Sequence, residues 1–487
     1  MEKIKELRVT GFKLSRITQP ETRNPNIEAM INRELLEKYN HPVPRYTSYP
    51  PANFFTEEFS LANYLEAIDE SNQWNPQNIS IYIHIPFCLK LCYFCGCNSY
   101  ALRKEEVVEA YHKALIKEIK MVTSRLDKNR KVSQIHYGGG TPNAIPVEYL
   151  QEINELLFST FEFIPEPEIA IEVNPAYLTY EQMTGLKKAG FNRFSIGIQD
   201  FDNDVLDAVN REQSVLPVAD IISFLKKDSP NMAVNLDFIY GLPKQTAANF
   251  SKTISKAIEL RPDRLVTFSY AHVPWVSKIQ KKLEKEGLPA PDEKIKMYEA
   301  AYSLMTQNGY EAIGMDHYAN ADDELTVARQ NKQLHRNFQG YCTRRTTGQV
   351  YAFGVTGISQ LEGVYAQNTK SIDEYIAKIN QGELTTIKGY ALTKQQVVVR
   401  EVITELMCNE QIVWSHLGEI LGMTSEEVKS QTVYNQELLQ QFADDGVIIL
   451  SDEKIQITPD GQLFIRNVAA SFDPLIQAGQ TNFSKPV

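Results

Sequence analysis

Between about residues 79 and 275, short runs rich in β-branched and aromatic residues alternate with longer stretches whose apolar positions recur every three or four residues. Such alternation predicts βα units and a parallel sheet. Six strands are expected: Ile79 to His84, Val132 to Tyr137, Glu168 to Val173, Arg193 to Ile198, Ala233 to Ile239 and Arg264 to Tyr270. After the first, Val108, Tyr111, Leu115, Ile119 and Val122 place one apolar stripe along a helix. Six units are too few to close an eight-stranded barrel and make a three-quarter barrel, open on one side. The expected fold class is therefore α/β, with ligands at the carboxyl ends of the strands.

The pattern breaks at both ends. Lys38 to Pro51, KYNHPVPRYTSYPP, carries four prolines and is expected to be an extended, irregular arm. Beyond about residue 371 the alternation gives way to a helix from about Lys394 and a short helix near His416. Another helix is opened by the capping box Thr424 and Glu427, and a hairpin runs through Asp452. That order resembles a winged helix. Its only Lys or Arg between Glu410 and Asp452 is Lys429, so a structural or substrate-covering module is expected, not a DNA-binding face. Three units follow: an N-terminal extension and arm (1–51), a catalytic domain (52–370) and a mainly helical C-terminal domain (371–487).

Composition changes this picture in one respect. The chain is ordinary for a globular protein, with 43% hydrophobic and 23% charged residues, but its formal net charge is −11. It should repel nucleic acid and anionic membranes, and an anionic substrate would need a local basic pocket. The first residues have no apolar core of signal-peptide type, and no apolar run is long enough to cross a bilayer, so a cytoplasmic protein is expected.

Chemistry enters at IHIPFCLKLCYFCGC. Cys88, Cys92 and Cys95 have the Cys-x3-Cys-x2-Cys spacing that folds three thiolates around a [4Fe-4S] cube and leaves one iron open to chelate a small molecule. This spacing is the signature of radical S-adenosylmethionine enzymes. Zinc sites usually add a second, distant cysteine pair, and none exists here. Cys97 is read as a neighbour of the cofactor and not a ligand, since binding it would close the site. The remaining cysteines, Cys342 and Cys408, are scattered, as in a reducing compartment.

Other candidates fall at strand ends. Gly138-Gly139-Gly140-Thr141-Pro142 follows the second strand and lets backbone approach a ligand closely. Glu172, Asn174, Gln199, Asp200 and Asp237 lie at or near the next three ends, where they would meet the hydroxyls and positive charge of a cationic cofactor. Arg211 either grips a carboxylate in bidentate fashion or forms a surface salt bridge, and a lone Asp among these residues is more readily a helix cap.

The runs PRYTSYP, HIPFCLKLCYFCGCN, GGGTP, GFNRFSIGIQDF, NLDFIYGLPKQT, IGMDHYA and LHRNFQGY resemble the oxygen-independent coproporphyrinogen III oxidases of heme biosynthesis, from about Lys38 to Asp473. The resemblance implies radical chemistry that converts two propionate side chains to vinyl groups. It implies that Cys88, Cys92 and Cys95 hold the cluster and that Glu172 takes part in catalysis. Tyr82, Phe94, Cys97, Gly139, Gly140, Thr141, Glu172, Gln199, Arg211 and Asp237 would contact two molecules of S-adenosylmethionine. Ala271, Phe338, Gln339 and Ile358 would complete the pocket, and Arg45 to Tyr49 would close over the substrate. A flavodoxin- or ferredoxin-like electron donor, an unidentified acceptor and a monomeric state are further expectations. The alternatives are the heme-chaperone branch of the same superfamily and other tetrapyrrole-modifying radical enzymes. The chaperones usually lack the arm, the fourth cysteine and NFQGY. Cys342 and the Arg344-Arg345 pair depart from the family wording, and the first 37 residues match none of these runs.

Overall fold

The computed structural model describes residues 32–102, 104–344, 346–476 and 483. The six strands stand where the hydrophobic pattern puts them: β1 Ile79–Ile85, β2 Lys131–Gly139, β3 Glu162–Val173, β4 Arg193–Gln199, β5 Ala233–Tyr240 and β6 Arg264–Ser269. They pair in that order, all parallel. β3 begins at Glu162 and not Glu168; its first half has no fully buried position, and Pro165 and Pro167 interrupt its apolar pattern. Ile83, Ile135, Tyr137, Ile171, Phe194, Ile196, Leu236 and Leu265 are fully buried, as are Leu115 and Ile119 of the helix Glu105–Thr123. Burial of each such side chain contributes about 1.5–3 kcal/mol.

Among the described residues this sheet has twelve strands, and the sequence pattern missed the outer six. Gln349–Phe353 adds a parallel strand to the free edge of β1 and carries on antiparallel through Ile358–Gln360, Val364–Asn368 and Thr386–Ala391. His317–Asn320 and Tyr310–Ile313 extend β6 on the other side. The main sheet thus runs to Ala391, past the residue 370 at which the sequence pattern ends the barrel unit.

The arm bridges the two edges of the curved sheet. Arg45 pairs with Asp316, next to the strand His317–Asn320. At its other end, Thr56 exchanges backbone hydrogen bonds of 2.9 and 3.0 Å with Gly389. The arm is irregular as expected, except that Lys38 and Tyr39 finish a helix that starts at Arg33.

A second core joins the arm to the C-terminal module. Leu35, Tyr39, Val43, Tyr46 and Tyr49 pack with Val402, Leu406, Trp414, Phe442, Phe464 and Phe472. The module has the helix Lys394–Asn409, the short helix Trp414–Leu421, the capped helix Ser425–Gln431 and a three-stranded sheet containing the hairpin through Asp452. It also has the helix Gln436–Asp444, which the sequence reading left out. Lys429 lies over the rings of Trp414 and Tyr434.

Candidate active site

β1 delivers the cysteine loop. Its last residues run into Phe87–Cys88, and the turn after β2 is clipped beneath them: Gly140 N–H donates to Ile85 O and Thr141 N–H to Phe87 O, both at 2.8 Å. A Cβ on Gly140 would meet the Pro86–Phe87 backbone at 2.8 Å, so only glycine lets the two loops touch.

Each of the three candidate ligand sulfurs accepts a hydrogen bond, two from later parts of the barrel and one from within the loop. Thr141 Oγ1 donates to Cys88 Sγ at 3.3 Å, Arg211 Nη1 to Cys92 Sγ at 3.6 Å, and Cys97 N–H to Cys95 Sγ at 3.4 Å. Donors of this kind stabilise thiolates and raise a cluster's potential. Burial pushes the Cys88 and Cys92 thiols up, with Thr141 and Arg211 respectively opposing it. Cys97 is exposed, and its thiol hydrogen-bonds Cys95, which holds the Cys95 sulfur down and its own up.

Beside this loop the barrel lumen holds a cavity of about 310 Å3. Cys97, Gly140, Thr141, Glu172, Gln199, Arg211, Asp237 and Gln339 all line it. Glu172 Oε1 accepts from His136 Nε2 at 2.9 Å, and Asp237 Oδ2 accepts from Ser195 Oγ at 2.6 Å. Burial raises the Asp237 carboxyl to about 7. Gln199 adopts φ 68° at a bulge in β4, a strained conformation for a residue with a side chain. Arg211 Nε and Asp237 Oδ1 are among the polar atoms of the wall that are buried without a partner. His136 and Ser195 were not singled out in the sequence; their alternation with Gly138 and Gly197 along β2 and β4 was the available signal.

The candidates Tyr82, Gly139, Phe94, Ala271, Phe338 and Ile358 do not line this cavity. Tyr82 stacks on His136 at 6.0 Å and its hydroxyl lies 3.2 Å from His84 Nδ1. Gly139 (φ 112°) faces the His84 ring. Phe94 packs against the cluster of Val205, Val209, Leu242, Tyr270 and Leu283. Ala271 lines a neighbouring cavity, Phe338 meets Tyr365 edge-on at 5.8 Å, and Ile358 starts a strand two places from β1. Asn174 lines the lumen cavity, whereas Asp200 is buried beneath it with Gln245 and Thr253. Cys342 is buried in the lumen wall, and burial pushes its thiol up to about 12. Arg344 pairs with Glu405 at 3.3 Å and so ties the barrel to the C-terminal module; Arg345 lies outside the described residues.

A family model described as the radical SAM superfamily matches residues 82–257, and one described as the HemN C-terminal domain matches 392–464. The oxygen-independent coproporphyrinogen III oxidase of Synechocystis sp. is 38% identical over 467 residues, covering 95% of this chain and 99% of its own length. That of Escherichia coli is 37% identical over 455 residues, covering 93% and 98%. The chain belongs to this family. The solved structure of the coproporphyrinogen III oxidase HemN from Escherichia coli, described as a radical SAM enzyme, superposes with a TM-score of 0.83 at 35% identity, over 91% of this chain and 99% of that one.

Membership implies an iron-sulfur cluster and S-adenosylmethionine, and the site fits both. Among the described residues no three His, Cys, Asp or Glu side chains converge as one metal ion requires. A cube, whose thiolates each hold a different iron, asks for no such convergence, and three donor-supported sulfurs suit it. The unpartnered Arg211 Nε and Asp237 Oδ1 suit a ligand with carboxylate, hydroxyl and ammonium groups. Among the described residues no helix is long and apolar enough to cross a membrane.

Proposed function

We propose that the chain catalyses the oxygen-independent oxidative decarboxylation of two propionate side chains of coproporphyrinogen III, giving protoporphyrinogen IX. The observation that carries this reading is the lumen cavity itself. It brings the donor-supported sulfur loop, the glycine turn and the polar strand ends of a family member to one place.

In this reading Cys88, Cys92 and Cys95 bind the cluster and leave its fourth iron open. Tyr82, Phe94, Cys97, Gly139, Gly140, Thr141, Glu172, Gln199, Arg211 and Asp237, with Ala271, Phe338, Gln339 and Ile358, hold two molecules of S-adenosylmethionine. Cluster and cofactor together supply one-electron chemistry, a 5'-deoxyadenosyl radical able to take hydrogen from an unactivated C–H bond. The chain's own work is positioning. Glu172 and Asp237 present carboxylates to hydroxyls and to positive charge, and Arg211 holds the Cys92 sulfur while facing the cofactor. Buried Tyr46 and Tyr49 of the arm help exclude water. A flavodoxin- or ferredoxin-like protein would supply electrons, and an unidentified acceptor would take them from the product side. The protein would work as a cytoplasmic monomer of three units, the N-terminal arm, the catalytic sheet and the C-terminal module.

The test is anaerobic. The protein with a reconstituted cluster, given a reductant, S-adenosylmethionine and coproporphyrinogen III, should form protoporphyrinogen IX together with 5'-deoxyadenosine. Formation of deoxyadenosine from a tetrapyrrole that keeps all its propionates would defeat the reading.

A further inference from the structure

A tetrapyrrole with several carboxylate arms must be held by those that are not reacting, and a chain of net charge −11 has few places to do it. Most buried cations are already spent. Arg193 pairs with Glu168, Arg264 with Asp323, Arg344 with Glu405, and Arg400 with Glu362 and Glu401.

One cavity differs. It has a volume of about 320 Å3 and lies across the β5–β6 wall from the lumen: Tyr240 and Ser269 line it, whereas Ile239 and Phe268, one residue earlier, line the lumen. Arg45 of the arm, Lys294 and Arg466 all line it, and among its described residues Asp316 is the one carboxylate. Asp316 is engaged by Arg45. Lys294 Nζ donates to Tyr270 O at 3.0 Å and has no carboxylate partner among the described residues. Arg466 donates to the carbonyls of Val43 and Pro44, which fixes it beside the arm.

Folding therefore sets Lys294, without a carboxylate of its own among the described residues, beside the Arg45–Asp316 pair. Burial and the neighbouring Arg45 bring Lys294 down to about 8 and Arg466 down to about 9. An anionic ligand would offset that repulsion. At the rim stands Trp275, 71% exposed, followed by Val276, 67% exposed. The apolar face of a tetrapyrrole ring would cover them.

We infer that this cavity binds a propionate carboxylate of the substrate other than the one undergoing decarboxylation, with Lys294 as its principal ligand and the ring resting toward Trp275. The inference rests on the tetrapyrrole reading above and adds the anchor that reading lacks. Lys294 is outside the cluster and cofactor residues, so it can be changed while their occupancy is measured separately.

The experiment compares wild type with Lys294→Met, which keeps the length of the side chain, and Lys294→Arg, which restores the charge. Charge-assisted hydrogen bonds are worth about 1.5–3 kcal/mol, so KM for coproporphyrinogen III should rise roughly ten- to a hundredfold in Lys294→Met. Its kcat, iron content and substrate-free formation of 5'-deoxyadenosine should stay within about twofold, and Lys294→Arg should recover most of KM. The anchor is overturned by a KM that stays within twofold, by a rise that arginine does not reverse, or by weakened S-adenosylmethionine binding at unchanged tetrapyrrole KM, since the carboxylate held there would then be the cofactor's. A wild-type protein that converts no coproporphyrinogen would instead sink the underlying reading.

Discussion

Gly138 shows how tightly single residues are bound to the site. A Cβ there would stand 2.7 Å from Glu172 Oε1, the oxygen that His136 holds. Gly138→Ala should push Glu172 out of place and weaken S-adenosylmethionine binding at least about tenfold, the loss of one charged hydrogen bond, with iron content unchanged. Equilibrium binding to the reconstituted protein measures it. Asp237 gives a pH signature. Its folded carboxyl is raised by burial from the ordinary 3.8 to about 7. The native state therefore holds the proton more tightly than the unfolded chain. The stability this contributes is full at low pH and is lost as pH rises toward 7, at up to about 1.4 kcal/mol per pH unit. Denaturant unfolding of the cofactor-free protein between pH 5 and 8 should show that decline, and Asp237→Asn should reduce its slope, leaving the share of buried Glu118, whose carboxyl is also raised to about 7; parallel curves would refute the assignment. The candidate ligand cysteines were legible because their spacing is local. Two of their donors were not, since Thr141 and Arg211 reach them only after the chain has crossed one and three further strands.

At the scale of elements, periodicity found every strand that belongs to a βα unit and missed the strands that do not. Gln349–Phe353 is fully buried and parallel, yet it joins β1 from far along the chain with no helix leading to a next strand. Nothing in its five residues says which edge it will find. The arm was recognised by its prolines, but its anchor was invisible, because Tyr46 finds Asp473 more than four hundred residues away. Tyr46 OH donates to Asp473 Oδ2 at 3.0 Å from a backbone held at φ 49°, so the contact also has to sustain an uncommon conformation. Tyr46→Phe should loosen the arm by about 1–3 kcal/mol, the range for a hydrogen bond to a buried charged group. Limited trypsinolysis near Lys38 and Arg45 should then run several-fold faster with the far-ultraviolet spectrum unchanged. An unchanged cleavage rate would mean that the apolar packing of the arm holds it alone.

For the whole molecule, the decisive fact is that the first and last described segments, Leu35 to Tyr49 and Val398 to Phe472, share one core while the sulfur loop and lumen belong to another. Leu35, Tyr39 and Val43 pack with Val402, Phe442 and Phe464, and Arg466 clasps the arm through the Val43 and Pro44 carbonyls. The residues lining the lumen cavity all fall between Cys97 and Cys342. Removing everything after Ala391 therefore takes away the arm's entire apolar support, each buried side chain worth about 1.5–3 kcal/mol, and leaves the cluster loop with all three of its sulfur donors. The shortened protein should still take up iron and still cleave S-adenosylmethionine without substrate. It should lose propionate decarboxylation, because the arm that crosses the open side of the barrel is no longer held. It should also self-associate through the uncovered face, which sedimentation would register. A shortened protein that stays monomeric and keeps its arm resistant to trypsin would show that the Arg45–Asp316 pair and the Thr56–Gly389 bridge suffice. The C-terminal module would then have some task other than holding the arm closed.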